Sequence, residues 1–304
     1  MRKPKILLIC DVKGWAWDIK CQQIVKYLSD EFDFTIIYRF QEGKIDMKQY
    51  DGFDIYFTFA PRFLGMLERV PIERRVSGIT AHFLGMDEEM NKHRQQVKWF
   101  HANSQLLVRA AQRYYPNTFY VPNGVDETVY KRDPNHRRVF EGTFTVGHVG
   151  KNTPRKGYWD IIHPAFCDAY STGSMMRIVA NLRRYKNALS QEKMVEWYQD
   201  VDIMVFASKL DGTPNPMLEA ASCGIPSIIN PIGNAPEFIT KENGVLIHEV
   251  GVTNYCRVIE WARDNPDKVK EMGRKARETV LAGWTWKGQS ANYRQMFRVV
   301  LGKA

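Results

Sequence analysis

"VDIMVFASKLDGTPNPMLEAASCGIPSIIN", residues 201–230, decides the fold. VDIMVFAS is a short apolar run of strand length, the pattern of a buried parallel strand. A polar turn, KLDGTPN, follows it. PMLEAASC then reads as a helix, with Pro216 at the favoured first position and Gly224 just past its end. PSIIN is a second apolar strand. Strand, turn, helix and strand in that order make a βαβ unit, and such units build parallel sheets.

The alternation continues on both sides. Upstream in the same half lie a strand FTVGHVG (144–150), a loop KNTPRK, a helix GYWDIIHPAFCDAY, a strand MMRIVAN (175–181) and a helix SQEKMVEWYQD (190–200) capped by Ser190. Downstream come a short helix APEFI, a strand GVLIH, helices TNYCRVIEWARDN and PDKVKEMGRKARETVL, and a helical tail KGQSANYRQMFRVVL. The first half repeats the theme. KILLIC (5–10), FTIIYR (34–39), FDIYFTFA (53–60), VSGITAHF (76–83) and TFYVPNGVD (118–126) read as strands. IKCQQIVKYLSDEF and the stretch after FHAN, capped by Ser104, read as helices. Residues 131–143, KRDPNHRRVFEGT, break the periodicity with charge. The expected organisation is therefore α/β: two Rossmann-like, doubly wound parallel-sheet domains at 1–138 and 139–285, facing each other across a cleft, and a last helix at 286–304.

Composition is that of an ordinary globular protein, with 44% hydrophobic and 25% charged residues in a chain of 304. The net charge of +9 is spread over both halves. It fits an anionic ligand, an anionic membrane surface or nucleic acid without choosing among them. Five scattered cysteines without a CxxC argue against a disulfide framework. The apolar run near the N-terminus ends at Cys10, too short for a signal peptide. No run approaches the ~20 apolar residues that span a bilayer. The expected location is the cytoplasm.

In doubly wound sheets ligands sit beyond the carboxyl ends of the strands. The loops to search are 11–17, 82–88, 151–156 and 209–215. The last holds Asp211, with Glu219 one turn into the helix that follows. Between them the backbone N–H groups of Gly212, Thr213, Asn215, Met217 and Leu218 are available, since Pro214 and Pro216 have none. A helix start suits a phosphate. Carboxylates on both sides of it suit hydroxyl groups, and a nucleotide sugar has that layout of ribose, diphosphate and hexose.

At these residues the chain resembles a known family. Asp211–x7–Glu219 with AASCGIPSIINPIGNAPEFI is similar to the E-x7-E region of retaining GT-B glycosyltransferases of the glycosyltransferase family 4 type. FTVGHVGKNTPRKG resembles that family's G-R…K-G strand and loop. FHANSQLLVRAAQRYYPNTFYVPNGVD resembles the close of its first domain. MVEWYQDVDIMVFAS resembles its helix and strand before E-x7-E, and GWTW its bend before a helix that crosses back to the first domain.

The resemblance implies the GT-B fold and transfer of a sugar from a nucleotide diphosphate, UDP or GDP, to an acceptor hydroxyl with retention. It implies that Lys151, standing for the family's Arg, and Lys156 neutralise the diphosphate, with Arg155 as a further cation. Glu219 would bind the ribose, and Asp211, one carbon shorter than the family's Glu, the sugar hydroxyls. His82, read as the end of a strand, would approach the reacting sugar and acceptor. Gly14 would lie against the diphosphate, with Trp15 and Trp17 beside it for an acceptor sugar or for packing. No required metal is implied, and His101, His148 and His163 show no ligand spacing. The connection LRRYKNAL is shorter than the family's, which leaves the base open. The acceptor could be a glycan, a lipid at a membrane surface or, as an alternative, a modified nucleic-acid base. Other readings are a sugar-nucleotide binding protein without turnover and an epimerase.

Overall fold

The computed structural model describes residues 2–41, 45–137, 141–173, 175–183 and 189–303. The LRRYKNAL connection falls mostly on residues 184–188, outside the described ones. The chain forms two compact units, Met1–Asn123 with Trp286–Ala304, and Gly124–Thr285.

In the first unit, β1 (Lys5–Cys10), β2 (Asp33–Tyr38), β3 (Ile55–Thr58), β4 (Arg75–Ile79), β5 (Trp99–Ala102) and β6 (Thr118–Tyr120) alternate with α1 (Ala16–Leu28), α2 (Met86–His93) and α3 (Gln105–Gln112). All strand pairs are parallel, in the order β2-β1-β3-β4-β5-β6. β1 is buried on both faces because its two side-chain sets enter two cores. Leu7 and Ile9 join one cluster, and Ile6, Leu8 and Cys10 the other. The second cluster is completed from the far end of the chain. α10 (Trp286–Val300) packs on α1 and contributes Tyr293, Met296 and Phe297. Arg298 also grips Glu31 at 2.7 and 2.9 Å. That guanidinium holds the Glu31 carboxyl below the usual carboxylate range.

The second unit runs β7 (Phe144–Lys151), α4 (His163–Ser171), β8 (Met176–Arg183), α5 (Gln191–Gln199), β9 (Ile203–Phe206), α6 (Asn215–Ser222), β10 (Ser227–Ile229), α7 (Ala235–Phe238), β11 (Gly244–Leu246), α8 (Val252–Asp264) and α9 (Pro266–Thr279). Its parallel sheet has the order β11-β10-β9-β7-β8. Ile203 and Val205 face one core, Met204 and Phe206 the other. The βαβ unit read from 201–230 is β9, α6 and β10. Ser104 and Ser190 cap α3 and α5 as expected, accepting from the N–H of Leu107 and Lys193.

Several boundaries differ from the sequence reading. The units part at 123/124, not at 138/139, because the polar stretch after Asn123 packs on the second unit. Val125 and Tyr130 enter its core, Arg132 donates to Val201 O, and the Asp133 N–H donates to Gln199 Oε1. β6 stops at Tyr120, just before Pro122, which has no N–H for a ladder. β4 stops at Ile79, and the Thr80 carbonyl accepts from the Asn103 side chain. The expected helix 157–170 starts as a wide turn, with Ile162 N–H donating to Gly157 O, because Pro164 has no N–H to donate to residue 160. α2 follows a segment with only Met86 and Met90 buried, too weak an apolar pattern to read as a helix.

Two buried histidines tie the fold to pH. The His148 ring, fully buried in β7, donates from Nδ1 to Val205 O at 2.8 Å. Burial, assisted by Lys156, pushes its pKa down from 6.5 to about 4. His101 is likewise buried against Phe57, and burial pushes it to about 3. Above pH 6.5 both rings are neutral in the folded and unfolded chain, so their contribution to stability is complete. Below that pH the unfolded chain takes up protons that the folded chain refuses. Stability then falls by about 1.4 kcal/mol per pH unit for each ring, until the folded pKa is passed. Denaturant melts between pH 7 and 4.5 should show this slope. For His148→Asn it should shrink by one ring's worth, and an unchanged slope would refute the assignment.

Candidate active site

The second unit's first strand, β7, lies between β8 and β9, so the strand order reverses there. In doubly wound sheets ligands bind beyond the strand ends at such a reversal. Two loops meet there, 151–157 after β7 and 207–214 after β9.

They are stitched together by three bonds. Lys209 N–H donates to Arg155 O at 2.8 Å. Arg155 Nη1 donates to Leu210 O at 3.0 Å. Lys156 Nζ donates to Asp211 Oδ2 at 2.5 Å, with side-chain exposures of only 16% and 14%. At that exposure the pair is little screened by solvent. Two glycines permit the approach. A Cβ on Gly157, whose φ is +67°, would stand 2.3 Å from Ala207 O. A Cβ on Gly233, φ +51°, would stand 2.3 Å from Gly212 O. Lys151 ends β7 exposed to solvent, a few residues before Lys156.

The start of α6 is less open than the sequence implies. Three of the five expected N–H donors are already engaged. Gly212 donates to Asp211 Oδ1, Asn215 to Thr213 O and Met217 to Pro214 O, at 2.9, 2.9 and 2.8 Å. The turn bonds back on itself, as Asp-Gly and Pro-containing turns do. Thr213 is buried, and the Met217 and Leu218 side chains lie in the core, so these last two residues face the loop by backbone alone. Glu219 is half-buried, and its Oε2 accepts from Tyr198 OH at 2.8 Å. Tyr198 is fully buried on α5 and was not singled out in the sequence. The MVEWYQD helix just before β9 was the signal, since an aromatic there packs under α6. His148 lies below this loop. Its Nε2 would be 3.0 Å from a Cβ on Gly150, which in turn would be 3.5 Å from Lys156 Cγ.

The first unit holds the other two expected residues. His82 does not end a strand. It lies in the loop beyond β4, three residues after Ile79, and is half-buried. Gly14, φ +80°, has its N–H taken by the buried Asp18 carboxylate at 2.8 Å, which also accepts from Tyr38 OH at 2.7 Å. The Gly14 amide is thus paired within its own loop and helix start. Trp17 is packing: its ring stacks on Phe59 at 5.4 Å and its indole N–H donates to Thr80 Oγ1. Trp15 precedes α1 and is 42% exposed.

Residues 181–279, which include α6, match the model of the family described as glycosyl transferases group 1. Over those residues the chain is similar to that family. The chain is 27% identical over 108 residues, 35% of its length and 24% of the other's, to a D-inositol 3-phosphate glycosyltransferase of Streptomyces coelicolor. It is 27% identical over 251 residues, 70% of its length and 64% of the other's, to an N-acetyl-alpha-D-glucosaminyl L-malate synthase of Bacillus anthracis. It thus spans less than two thirds of either relative. In structure it is similar over its whole length to a sucrose-phosphate synthase of Thermosynechococcus elongatus, TM-score 0.80 at 13% identity and 100% of both chains. It is also similar to Anabaena HepE in complex with UDP-glucose, TM-score 0.74 at 15% identity, 98% of this chain and 99% of that one. The fold is GT-B: two Rossmann-like parallel-sheet domains, with the last helix returned to the first. Among the described residues no group of three or more His, Cys, Asp or Glu side chains is placed to hold a metal, and no helix is long and apolar enough to cross a membrane.

Proposed function

We propose that this protein is a retaining glycosyltransferase that moves a sugar from a nucleotide diphosphate sugar to an acceptor hydroxyl. The observation that carries the reading is the meeting of Lys156 and Asp211 at the strand reversal of the second unit, with Glu219 one turn into the helix that follows. It supports a cation for phosphate beside one carboxylate for hydroxyl groups, with a second carboxylate on the next helix. HepE, of similar fold, was solved with UDP-glucose, which supports a uridine donor.

In this reading Glu219, steadied by Tyr198, accepts from the ribose hydroxyls. Lys156 turns from Asp211 to the diphosphate and, with Lys151, balances the charge that builds on the leaving group. Asp211 then accepts from the sugar hydroxyls. The acceptor oxygen bonds to the anomeric carbon on the face that the diphosphate leaves. The bond from that carbon to the phosphate oxygen breaks, and the departing phosphate takes the acceptor proton. The lysines supply the charge that a metal would otherwise bring, so the reaction is proposed to run without one. His82 is proposed to hold the acceptor or the reacting sugar. The two relatives named above act, by their names, on inositol phosphate and on malate, both anions. An anionic acceptor is proposed here too, soluble or at a membrane surface.

A thermal-shift panel of UDP, GDP, ADP and TDP and their sugars tests the donor site, with wild type and Glu219→Ala side by side. A nucleotide at 100 times its Kd adds about 2.7 kcal/mol. The expected result is stabilisation by the uridine series, lost in Glu219→Ala. No stabilisation by any nucleotide in a folded sample would overturn the reading.

A further inference from the structure

The first unit carries a chain of cations and rings that the donor chemistry does not use. Arg39 Cζ lies 5.9 Å over the Phe40 ring, and Phe40 meets Phe63 edge-on at 6.0 Å. Arg62 Cζ lies 5.5 Å over both Phe63 and Trp17. Residues 39–40 follow β2, Trp17 follows the loop after β1, and 62–63 follow β3. In the sheet β1 lies between β2 and β3, so the ladder crosses the strand reversal of the first unit, where ligands of such sheets bind.

Two features separate this ladder from ordinary surface arginines. Among the described residues neither guanidinium has a carboxylate or hydrogen-bond partner. The nearby Glu89 accepts from the Arg62 backbone N–H instead. The rings also lie within cation–π distance of both guanidiniums, which restrains the side-chain freedom that a ligand would have to freeze. Phe40 itself is 62% exposed, a large apolar face left in water beside a cation. The far end of the ladder leads toward His82, proposed above to hold the acceptor or the reacting sugar. The Trp17 indole donates to Thr80, two residues before His82.

We propose that this ladder is the acceptor subsite, and that it takes a hydroxyl-bearing acceptor with a phosphate or carboxylate group. Planar guanidinium forks match those anions with paired hydrogen bonds. The exposed ring of Phe40 covers the C–H face of a sugar or cyclitol. The inference rests on the glycosyltransferase reading for the presence of an acceptor, but the ladder and its anion are tested apart from the donor.

The test is equilibrium binding by ligand-observed NMR, with three probes that share one ring: glucose, glucuronate and glucose 6-phosphate. Vesicles of phosphatidylcholine with and without phosphatidylinositol are floated in parallel. The proteins are wild type, the double variant Arg39→Gln/Arg62→Gln, and Lys156→Gln as the donor-side control. The expected result is a preference of about tenfold or more for an anionic probe over its neutral counterpart. It should be lost in the double variant and kept in Lys156→Gln. Preference among the sugars identifies a soluble acceptor, and preference among the vesicles a lipid headgroup; either supports the subsite. The subsite is refuted if wild type prefers no anion in either series, if the preference survives the double variant, or if only Lys156→Gln removes it. UDP thermal shifts on the same samples keep the two readings apart. Stabilisation by UDP alongside a failed anion test overturns the ladder and leaves the donor site standing. Both arginines lie at the surface, and melting curves check that the double variant folds.

Discussion

Asp211→Asn should bind a nucleotide diphosphate more tightly and transfer sugar more slowly. In the ligand-free protein Lys156 is committed to Asp211 by a short, poorly solvated ion pair. A diphosphate must compete with that carboxylate for the ammonium. Asparagine keeps an oxygen for the Gly212 N–H, so the turn survives, but it gives up the charge. Releasing Lys156 should raise UDP affinity by about 3- to 10-fold. The sugar then loses an ionised hydrogen-bond acceptor in the transition state, a loss of about 10- to 100-fold in kcat. Unliganded stability should drop by about 1–3 kcal/mol, since a half-buried lysine loses its partner. Calorimetry with UDP and initial rates with the UDP-sugar measure the two opposed effects. If affinity falls together with kcat, Asp211 organises the phosphate site and does not compete for it.

Gly157→Ala should be among the most damaging single methyls in the second unit. The residue sits in the left-handed region, where a Cβ costs about 1–2 kcal/mol, and that Cβ would stand 2.3 Å from the Ala207 carbonyl oxygen. A real contact cannot be that short, so the 154–157 turn must lift from the end of β9. Lifting it separates Arg155 from Leu210 and Lys156 from Asp211. The expected loss is about 3 kcal/mol or more, some 6–12 °C in the melting of a unit of this size. Nucleotide stabilisation should vanish even in samples kept cold enough to remain folded. Gly14→Ala is a built-in control. It has a left-handed φ too, but nothing lies within 4 Å of its Cβ, so it should lose only the backbone term. Equal losses in the two variants would show that conformation, and not the close approach, sets the cost.

The strands of both sheets were legible because each is a compact apolar run that enters two cores, as the alternate sides of KILLIC show. The helix caps at Ser104 and Ser190 were legible because capping is local. What sequence could not show is where long-range partners overrule local pattern. Residues 131–143 read as a boundary by charge, yet Arg132 and Asp133 bond to the second unit and Tyr130, just before them, enters its core. VSGITAHF reads as one strand, yet Asn103 takes the Thr80 carbonyl and ends the ladder before His82. Gly14 has the right conformation for a phosphate loop, but Asp18, four residues on, already holds its amide. Lys156 and Asp211 could each be nominated from the family pattern, whereas their contact spans 55 residues and appears only in the fold.

The return of α10 to the first unit has a consequence for biosynthesis. The ring of Phe297 packs edge-on against Phe32 and Phe57, at 5.6 and 5.8 Å, inside a core whose other members lie mostly in the first 121 residues. A ribosome therefore releases nearly all of the first unit before its closing helix exists. The whole second unit, Gly124–Thr285, is made in the interval, on the order of 10–30 s at about 5–20 residues per second. During that time the apolar face of α1 that α10 will cover is open to water and to chaperones. The second unit, continuous in sequence, can complete its own core first. A helix made after the whole second unit thus decides when the first unit becomes finished.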